Sequence, residues 1–274
     1  MRSQSRRIAL GAVLVLAVAT VAGAQPLKRK PVPATSLSVW QNQPFIALGN
    51  GHFQGSATVQ EAKRHGNLGI GALAAIDGEV MVLDGVLYQF HASGGVRRPP
   101  GAAEMSFAMM ARFVPEERIE VPHGTRLKDL PALLAKLSPN YYFALRIDGK
   151  FSCVRARTFV AQREPYRPIC QADPPPQGFS FTQVEGTMVG FKSPVFAANV
   201  SGPPVHLHFL RGDKTGGGHV LDLVVDHATL TLDRLSGLAL DLPKDAAFAG
   251  MDLSQPAECP SPPPPPVECP PDQP

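Results

Sequence analysis

The sequence lacks a surplus of charge in the part that forms the mature chain. Its 274 residues contain 26 Lys and Arg against 23 Asp and Glu. Arg2, Arg6 and Arg7 lie in the first 24 residues, and without them the chain is balanced at 23 basic against 23 acidic residues. A balanced chain without a basic stripe is not typical of nucleic-acid-binding proteins. We therefore expect no nucleic-acid partner.

Several catalytic and binding motifs are also absent. The four cysteines show no Cys-x-x-Cys spacing, which argues against a thiolate zinc site. There is no Gly-x-Ser-x-Gly nucleophile turn and no His-Glu-x-x-His helix. Gly69-Ile70-Gly71 lacks the third glycine of a dinucleotide site, and Gly212–Gly216 lacks the spacing of a phosphate-binding loop.

Long apolar runs are confined to the N-terminus. The three arginines precede the apolar run Ile8–Val21, which is followed by the small residues Ala22-Gly23-Ala24. This order is typical of a secretory signal peptide, cleaved near Ala24. The run is short for a membrane span, although an uncleaved anchor is the alternative. We expect an exported protein, periplasmic or secreted, without stable membrane association after cleavage.

The even number of cysteines in an exported chain favours disulfide bonds. A bond between Cys153 and Cys170 is preferred because both lie in the globular part. A bond between Cys259 and Cys269 would have to fold back across the stiff run Pro262–Pro266. The connectivity is not determined by the sequence.

Composition divides the chain into segments. Three prolines in residues 171–178 mark a boundary, and the last 21 residues contain ten prolines, which favours an extended or disordered tail. We predict a signal peptide over 1–24, a flexible leader over 25–36, an N-terminal mixed-sheet domain over 37–170, a C-terminal sheet domain over 171–253, and a proline-rich tail over 254–274.

Short apolar runs separated by Asp-Gly turns dominate the middle of the chain. Turns at Asp77-Gly78, Asp84-Gly85 and Asp148-Gly149 each predict a hairpin. Helical patterns cover only residues 58–64 and 126–137. The fold class is therefore α+β, with two mixed or antiparallel sheets and few helices.

A pattern of histidines in the C-terminal half favours a metal site. His206 and His208 alternate in an apolar strand and so share one face. A polar, glycine-rich turn follows, and His219 starts the next apolar run, so a hairpin can bring it beside the first two. Three imidazoles on rigid strands would leave a zinc ion with open positions, as catalysis requires. A lone strand histidine is more often a packing residue; the trio makes a metal site the sharper hypothesis.

Two further residues are candidates for chemistry. Glu79 follows the Asp77-Gly78 turn, where a carboxylate is usually solvated, but facing the histidines it could transfer protons. Arg155 and Arg157 share a strand face, which is ordinarily exposed; in a metal pocket an arginine would clamp a substrate carboxylate.

Several short motifs follow one another along the chain: the blocks His65–Gly71, Leu73–Val80, Phe143–Ile147 and Glu164–Tyr166, then EGTMVGF at Glu185–Phe191, VHLHFL at Val205–Leu210 and GGHVLD at Gly217–Asp222. In these motifs and their order the chain resembles the alpha-acetolactate decarboxylase family over about residues 37–253.

The resemblance implies a Zn²⁺ enzyme that converts (S)-2-acetolactate to (R)-acetoin and CO₂, and it implies a homodimer. The three zinc ligands of the family fall on His206, His208 and His219. Its active-site glutamate and arginine fall on Glu79 and Arg157. A second, C-terminal glutamate falls on Glu268, with Glu258 as the rival.

The chain departs from the family pattern at two places. Gly71-Ala72-Leu73-Ala74 stands where the family usually has Gly-Thr-Phe-Asn, and Met105–Ala108 stands where it has Thr-Pro-Phe-Ala. The lost hydroxyl keeps open a zinc lyase or hydrolase for another hydroxy-keto acid. A non-catalytic binding protein with the proline-rich tail as its contact surface is the third reading.

Overall fold

The structure is a computed structural model that describes residues 25–26, 37–259 and 269. Within these residues the chain forms short helices, namely α1 (Phe45–Gly49), α2 (Val59–Arg64), α3 (Leu130–Leu133), α4 (Ala198–Ser201) and α5 (Ala246–Ala249). The strands are β1 (Gln25–Pro26), β2 (Ser38–Gln41), β3 (Ala57–Thr58), β4 (Leu68–Leu73), β5 (Glu79–Leu83), β6 (Val86–Phe90), β7 (Val96–Arg97), β8 (Glu104–Ala111), β9 (Glu117–Val121), β10 (Tyr142–Thr158), β11 (Gln177–Lys192), β12 (Val205–Arg211), β13 (Gly217–Leu235) and β14 (Gly237–Leu240). Single 3-10 turns cover Ala74–Ile76, Leu127–Asp129, Ile169–Gln171 and Val195–Ala197.

The strands form two sheets in the described part of the chain. One has six strands in the order β1-β9-β13-β10-β11-β12, and β12 also pairs with β13, so that β10 to β13 close into a ring. The other has eight strands in the order β14-β2-β8-β4-β5-β6-β7, with β3 beside β8. All pairs are antiparallel except β14 with β2, which is parallel. The predicted architecture of two mixed or antiparallel sheets with few helices is confirmed.

The two sheets take their strands from both sides of residue 171. The six-stranded sheet joins β9 and β10 to β11, β12 and β13, and β14 returns to the eight-stranded sheet beside β2. A division into domains at that residue therefore stays a prediction, and the sheets are not separated by it along the chain.

The core has a main layer where the two sheets meet. Side chains of the eight-stranded sheet, such as Met81 and Phe90, pack in one cluster with side chains of the six-stranded sheet, such as Val189 and Phe191. A second cluster lies on the other face of the six-stranded sheet, where Leu130 and Leu134 cover it. A polar group placed between the sheets is thus removed from water on both sides.

The hairpin predicted at Asp148-Gly149 is a single strand. Asp148 and Gly149 lie within β10 and pair with Thr187 and Gly186 on one side and with Thr229 and Ala228 on the other. A Cβ atom at Gly149 would collide with the His227 carbonyl oxygen, so the glycine serves a close approach and not a turn. Tertiary pairing on both sides overrides the local turn preference. The strand paired with β10 here, β11, is likewise continuous from Gln177 to Lys192.

Two predictions that depend only on local sequence are confirmed, and a third is confirmed only in part. Asp84 and Gly85 both have positive φ, 51° and 77°, as a type I′ hairpin turn requires. The helix predicted over residues 58–64 is α2, and its capping box joins Thr58 and Glu61. The helix predicted over 126–137 is only the 3-10 turn followed by α3.

The predicted disulfide between Cys153 and Cys170 is wrong. Cys153 bonds to Cys269, and Cys170 bonds to Cys259, across 116 and 89 residues respectively. Both bonds fasten the proline-rich end to the globular part. Sequence reasoning treated that end as a free tail and so paired the two remaining cysteines. Disulfides of this kind are typical of an oxidising compartment.

The ends of the chain are described only in part. Gln25–Pro26, at the start of the predicted leader, pairs with β9, and residues 27–36 lie outside the described residues, so the flexible leader stays a prediction. Residues 1–24, where the signal peptide is predicted, lie outside the described residues. No helix in the described portion has the length and apolar character needed to cross a membrane.

Gly190 on β11 offers a test of how closely β11 and β12 approach. A Cβ there would collide with the carbonyl oxygen of His206, whereas a Cβ at Gly178 on the same strand meets nothing within 4 Å. We expect Gly190→Ala to lower the free energy of unfolding by about 1–3 kcal/mol through overpacking. The control Gly178→Ala should change it by about 0.5 kcal/mol or less. Equal values in urea unfolding would contradict this packing.

Candidate metal centre and active site

The three predicted histidines meet at the start of the β12–β13 hairpin. His206 and His208 lie on β12, and His208 pairs directly with His219 of β13. The ring centroids are 5.2 Å apart for His206 and His208, 4.8 Å for His206 and His219, and 5.4 Å for His208 and His219. One candidate ligand atom from each ring lies within 4.8 Å of the others. The predicted hairpin and the convergence of the trio are both observed.

The hydrogen bonds of His208 fix which of its nitrogens is available. Its Nδ1 is 2.7 Å from the carbonyl oxygen of Val80 on β5, and because a carbonyl can only accept, Nδ1 carries the proton. The Nε2 atom then carries a lone pair. This nitrogen is buried without a hydrogen-bond partner among the described residues. A carbonyl partner that sets the tautomer in this way is common for metal-bound histidines.

The other two rings face each other. His206 Nε2 lies 3.0 Å from His219 Nδ1, while His206 Nδ1 is buried with no partner in the described structure. The edge of the Phe45 ring, on α1, stands over His206 with centroids 6.2 Å apart. Apolar packing on this side keeps water from the imidazole.

Burial decides the charge of the three imidazoles. Burial, together with the smaller effect of the positive charge of Arg157, lowers the pKa of His206 to about 3. Burial also holds the pKa values of His208 and His219 well below the usual value. The rings are therefore neutral at physiological pH. Neutral imidazole is the form that binds a metal ion.

Glu79 and Arg157 reach this cluster from the two sheets. Glu79 opens β5, and its Oε2 lies 3.5 Å from His208 Nε2. Arg157 on β10 pairs with His219, and its Nη1 lies 3.9 Å from Glu79 Oε1. The guanidinium also stacks on the Phe159 ring at 4.4 Å. The prediction that both residues face the histidines thus agrees with their positions, while their roles stay predictions.

The environment of Glu79 favours the neutral acid. Burial raises the pKa of this carboxyl to about 7, although the nearby Arg157 charge works in the opposite direction. Burial likewise lowers the pKa of Arg157, and Glu79 partly offsets the effect. The two groups are close enough to interact but too far apart for a hydrogen bond, so either can turn toward a bound molecule.

Thr158 is a site residue that sequence reasoning missed. Its Oγ1 accepts a hydrogen bond from the Glu79 backbone N–H at 2.9 Å and donates one to the Phe90 carbonyl oxygen at 2.7 Å. The hydroxyl therefore joins the last residue of β10 to both β5 and β6. Its position next to Arg157 was the one available signal, and nothing in the sequence pairs it with Glu79.

The residue that differs from the family pattern lies beside Glu79. Ala72 on β4 is the direct cross-strand partner of Glu79 and is buried. Its neighbour Leu73 accepts a hydrogen bond from the Ser106 hydroxyl at 2.8 Å. The side chain next to the Glu79 carboxyl is thus a methyl group that offers no hydrogen bond.

The two candidates for the C-terminal glutamate differ in what can be said of them. Glu268 lies outside the described residues. Glu258 is exposed, and its backbone carbonyl accepts a hydrogen bond from Gln171 at 3.1 Å.

The donor set fits a zinc ion. Three neutral imidazoles converge, and the buried His208 Nε2, whose lone pair is free, has no partner among the described residues. Unpaired polar atoms in an apolar layer are costly unless something binds them. Three histidines are also a common protein ligand set of catalytic zinc.

Comparison with known proteins identifies the family of the chain. The family model described as Alpha-acetolactate decarboxylase matches residues 39–255. The chain belongs to the alpha-acetolactate decarboxylase family. It is 31% identical over 240 residues to the alpha-acetolactate decarboxylase of Brevibacillus brevis, covering 85% of this chain and 84% of that protein. It is 33% identical over 217 residues to that of Raoultella terrigena, covering 78% and 84%.

A solved structure supports the same relationship. The alpha-acetolactate decarboxylase of Bacillus subtilis strain 168 aligns with a TM-score of 0.77 and 29% identity, over 80% of this chain and 94% of that one. Membership of the family makes the chain an enzyme of the carboxy-lyase class. It also supports the decarboxylation of acetolactate as the reaction.

Replacing the Thr158 hydroxyl tests its link to Glu79. Thr158→Val keeps the shape but leaves the buried Glu79 N–H unpaired, so we expect a loss of about 1–3 kcal/mol in unfolding free energy. Thr182→Val, at an exposed position of β11, should cost about 0.5 kcal/mol or less. Chemical denaturation of both variants measures the difference, and a Thr158→Val protein as stable as its control would rule the link out.

Proposed function

We propose that the enzyme catalyses the zinc-dependent conversion of (S)-2-acetolactate to (R)-acetoin and CO₂, with Glu79 and Arg157 acting on the substrate. The observation that carries the proposal is the convergence of three neutral imidazoles with one carboxyl and one guanidinium at the meeting of the sheets. Family membership supports the substrate.

The chemistry requires stabilisation of a developing negative charge. In a 2-hydroxy-3-keto acid the bond to the carboxylate breaks, CO₂ leaves, and the electron pair moves toward the ketone oxygen to give an enediolate. A proton then adds to the former carboxylate-bearing carbon and gives acetoin. His206, His208 and His219 would hold the zinc ion, and Lewis-acid stabilisation of oxygen charge is the chemistry that zinc supplies.

Arg157 is suited to bind the substrate carboxylate. Its side chain is 24% exposed, and its guanidinium carbon lies over the Phe159 ring, 4.4 Å from the centroid. A guanidinium fixed in orientation offers two parallel N–H donors to a carboxylate, which a lysine cannot do. Removing this clamp should weaken binding and orientation of the substrate.

Glu79 is suited to deliver the proton. Its side chain is 9% exposed and lies between Arg157 and His208. Glu79 is the first residue of β5, and its backbone N–H donates a hydrogen bond to the Thr158 hydroxyl. Stereospecific protonation needs a donor fixed on one face of the planar intermediate. A carboxyl on a rigid strand meets that need better than a solvent molecule would.

A second candidate function follows from Ala72. The methyl group beside Glu79 provides neither the bulk nor the hydroxyl of the usual threonine. A zinc lyase or hydrolase acting on a different hydroxy-keto acid is therefore the alternative, and a panel of such acids with different 2-alkyl groups separates the two.

We also propose export after cleavage near Ala24 and a homodimer in solution.

The metal assignment is tested with acetoin formation from racemic acetolactate. We expect activity that requires zinc and is abolished in His206→Ala, because that variant removes a ligand. The control His227→Ala changes an exposed histidine on β13 and should keep full activity and zinc content. Acetoin release by the His206→Ala protein, or by metal-free protein, would contradict the proposal.

The carboxyl roles are tested with isosteric amides. Glu79→Gln should lower kcat by about 10²–10⁴-fold, the range of general acid–base catalysis, with zinc content unchanged. Glu268→Gln should also lower kcat if the resemblance holds, whereas Glu258→Gln should not. A Glu79→Gln enzyme with normal kcat would remove Glu79 from the mechanism, and a loss confined to Glu258→Gln would reverse the assignment of the second glutamate.

A further inference from the structure

One residue of the C-terminal segment is held by all of its polar groups. The sulfur of Cys269 is bonded to Cys153 on β10. Its backbone N–H donates to Asp222 Oδ2 on β13 at 2.8 Å. Its carbonyl oxygen accepts from Arg126 Nη1 and Nη2 at 3.2 and 3.1 Å. We call these four residues, Arg126, Cys153, Asp222 and Cys269, the Cys269 clasp.

The clasp is buried and its charges are paired. Arg126 Nη1 lies 3.1 Å from Asp222 Oδ2, with side chains only 17% and 9% exposed, and Cys269 is 2% exposed. A buried ion pair is costly unless its remaining hydrogen-bonding groups are satisfied. Here the backbone of Cys269 gives a hydrogen-bond partner to each member of the pair, so the pair and this one residue form a matched unit. Such a unit differs from an incidental surface contact.

The clasp spans an irregular part of the β10–β13 ladder. Arg155 pairs with Asp222 and Arg157 pairs with His219, so two steps along β10 match three along β13. The extra residue makes a bulge, which bends a strand and redirects the side chains beside it. Two further register shifts lie on the other side, between Lys150 and Phe151 and between Phe151 and Cys153. The ladder is therefore irregular on both sides of the clasp, and one irregularity lies between Asp222 and His219.

The clasp lies close to the site along the same strands. Asp222 is three residues from His219, and Cys153 is four residues from Arg157. At about 3.3 Å per residue these separations are roughly 10 Å and 13 Å. Cys269 is bonded covalently to Cys153 of β10 and hydrogen-bonded to Asp222 of β13. The clasp therefore cross-links the two strands where their ladder is interrupted.

We propose that Arg126 and Asp222, through Cys269 and its bond to Cys153, are positioning residues that fix His219 and Arg157 relative to His206 and His208. The inference rests on the proposed function for its effect on turnover, but not for its effect on structure. The cross-link removes the freedom that the bulge gives to the ends of β10 and β13. Substitution of residues that orient metal ligands without contacting the metal ion typically changes metal affinity or activity 10–100-fold.

The second disulfide provides a matched control. We compare Cys153→Ala/Cys269→Ala with Cys170→Ala/Cys259→Ala, since the two bonds close loops of similar length, 116 and 89 residues. The measurements are zinc affinity by chelator competition, kcat for acetoin, and amide hydrogen exchange of residues 217–222. We expect the first variant to bind zinc 10–100-fold more weakly, to lose kcat and to exchange faster over 217–222. The control should match wild type in all three.

A change in the charge pair tests the clasp with the disulfide intact. Arg126→Met removes both hydrogen bonds to the Cys269 carbonyl and should reproduce the faster exchange and the weaker zinc binding. Arg126→Lys keeps the charge and should have an exchange rate and a zinc affinity close to those of the wild type. If Arg126→Met does not fold, the double alanine variant carries the test. Exchange and zinc affinity equal to those of the control variant would overturn the inference. Wild-type protein that binds zinc without forming acetoin would instead refute the proposed function and leave the exchange comparison standing.

Discussion

The hydrogen bond from His208 to the carbonyl oxygen of Val80 joins the two sheets at the point where the site forms. His208 belongs to the six-stranded sheet and Val80 to the eight-stranded sheet, and the two atoms are 2.7 Å apart. The bond fixes the ring orientation and the tautomer together, and it places Glu79, the residue before Val80, against the free nitrogen. The candidate metal ligands and the candidate proton donor are therefore brought together by the packing of one sheet on the other.

Packing between sheets also sets the electrostatics. The layer that surrounds the site is built from aromatic and aliphatic side chains, and charged groups are unfavourable there. Burial lowers the pKa of the histidines, which stay neutral, and raises the pKa of Glu79, while Arg157 lies 3.9 Å from Glu79. The lone pairs of the neutral imidazoles suit a metal cation, and the guanidinium of Arg157 suits an anion. A hydroxy-keto acid fits such a site, because its hydroxyl and ketone oxygens can chelate a metal and its carboxylate can pair with the guanidinium.

Two cysteines near the C-terminus are attached to the two-sheet core. Disulfides connect Cys269 to Cys153 and Cys259 to Cys170, and Cys269 is buried against Val224. Proline lacks the backbone donor that sheets and helices need, and at Cys269 a covalent bond and the Arg126–Asp222 ion pair make the attachment. This solution depends on an oxidising environment, which is consistent with the export that the N-terminal sequence predicts.

The sequence alone determined the features that depend on neighbours along the chain. The alternation of His206 and His208, the glycine-rich turn before His219, the I′ turn at Asp84-Gly85 and the ordered family motifs all follow from local spacing, because a strand has a fixed period and a turn has fixed dihedral requirements. Only the tertiary structure decided how distant parts meet. Asp148-Gly149 became a strand centre because two other strands pair with it, Thr158 came to support Glu79 across 79 residues, and the cysteines paired according to which surfaces lie against each other. Contacts of that kind depend on the packing of whole sheets, and no short stretch of sequence records them.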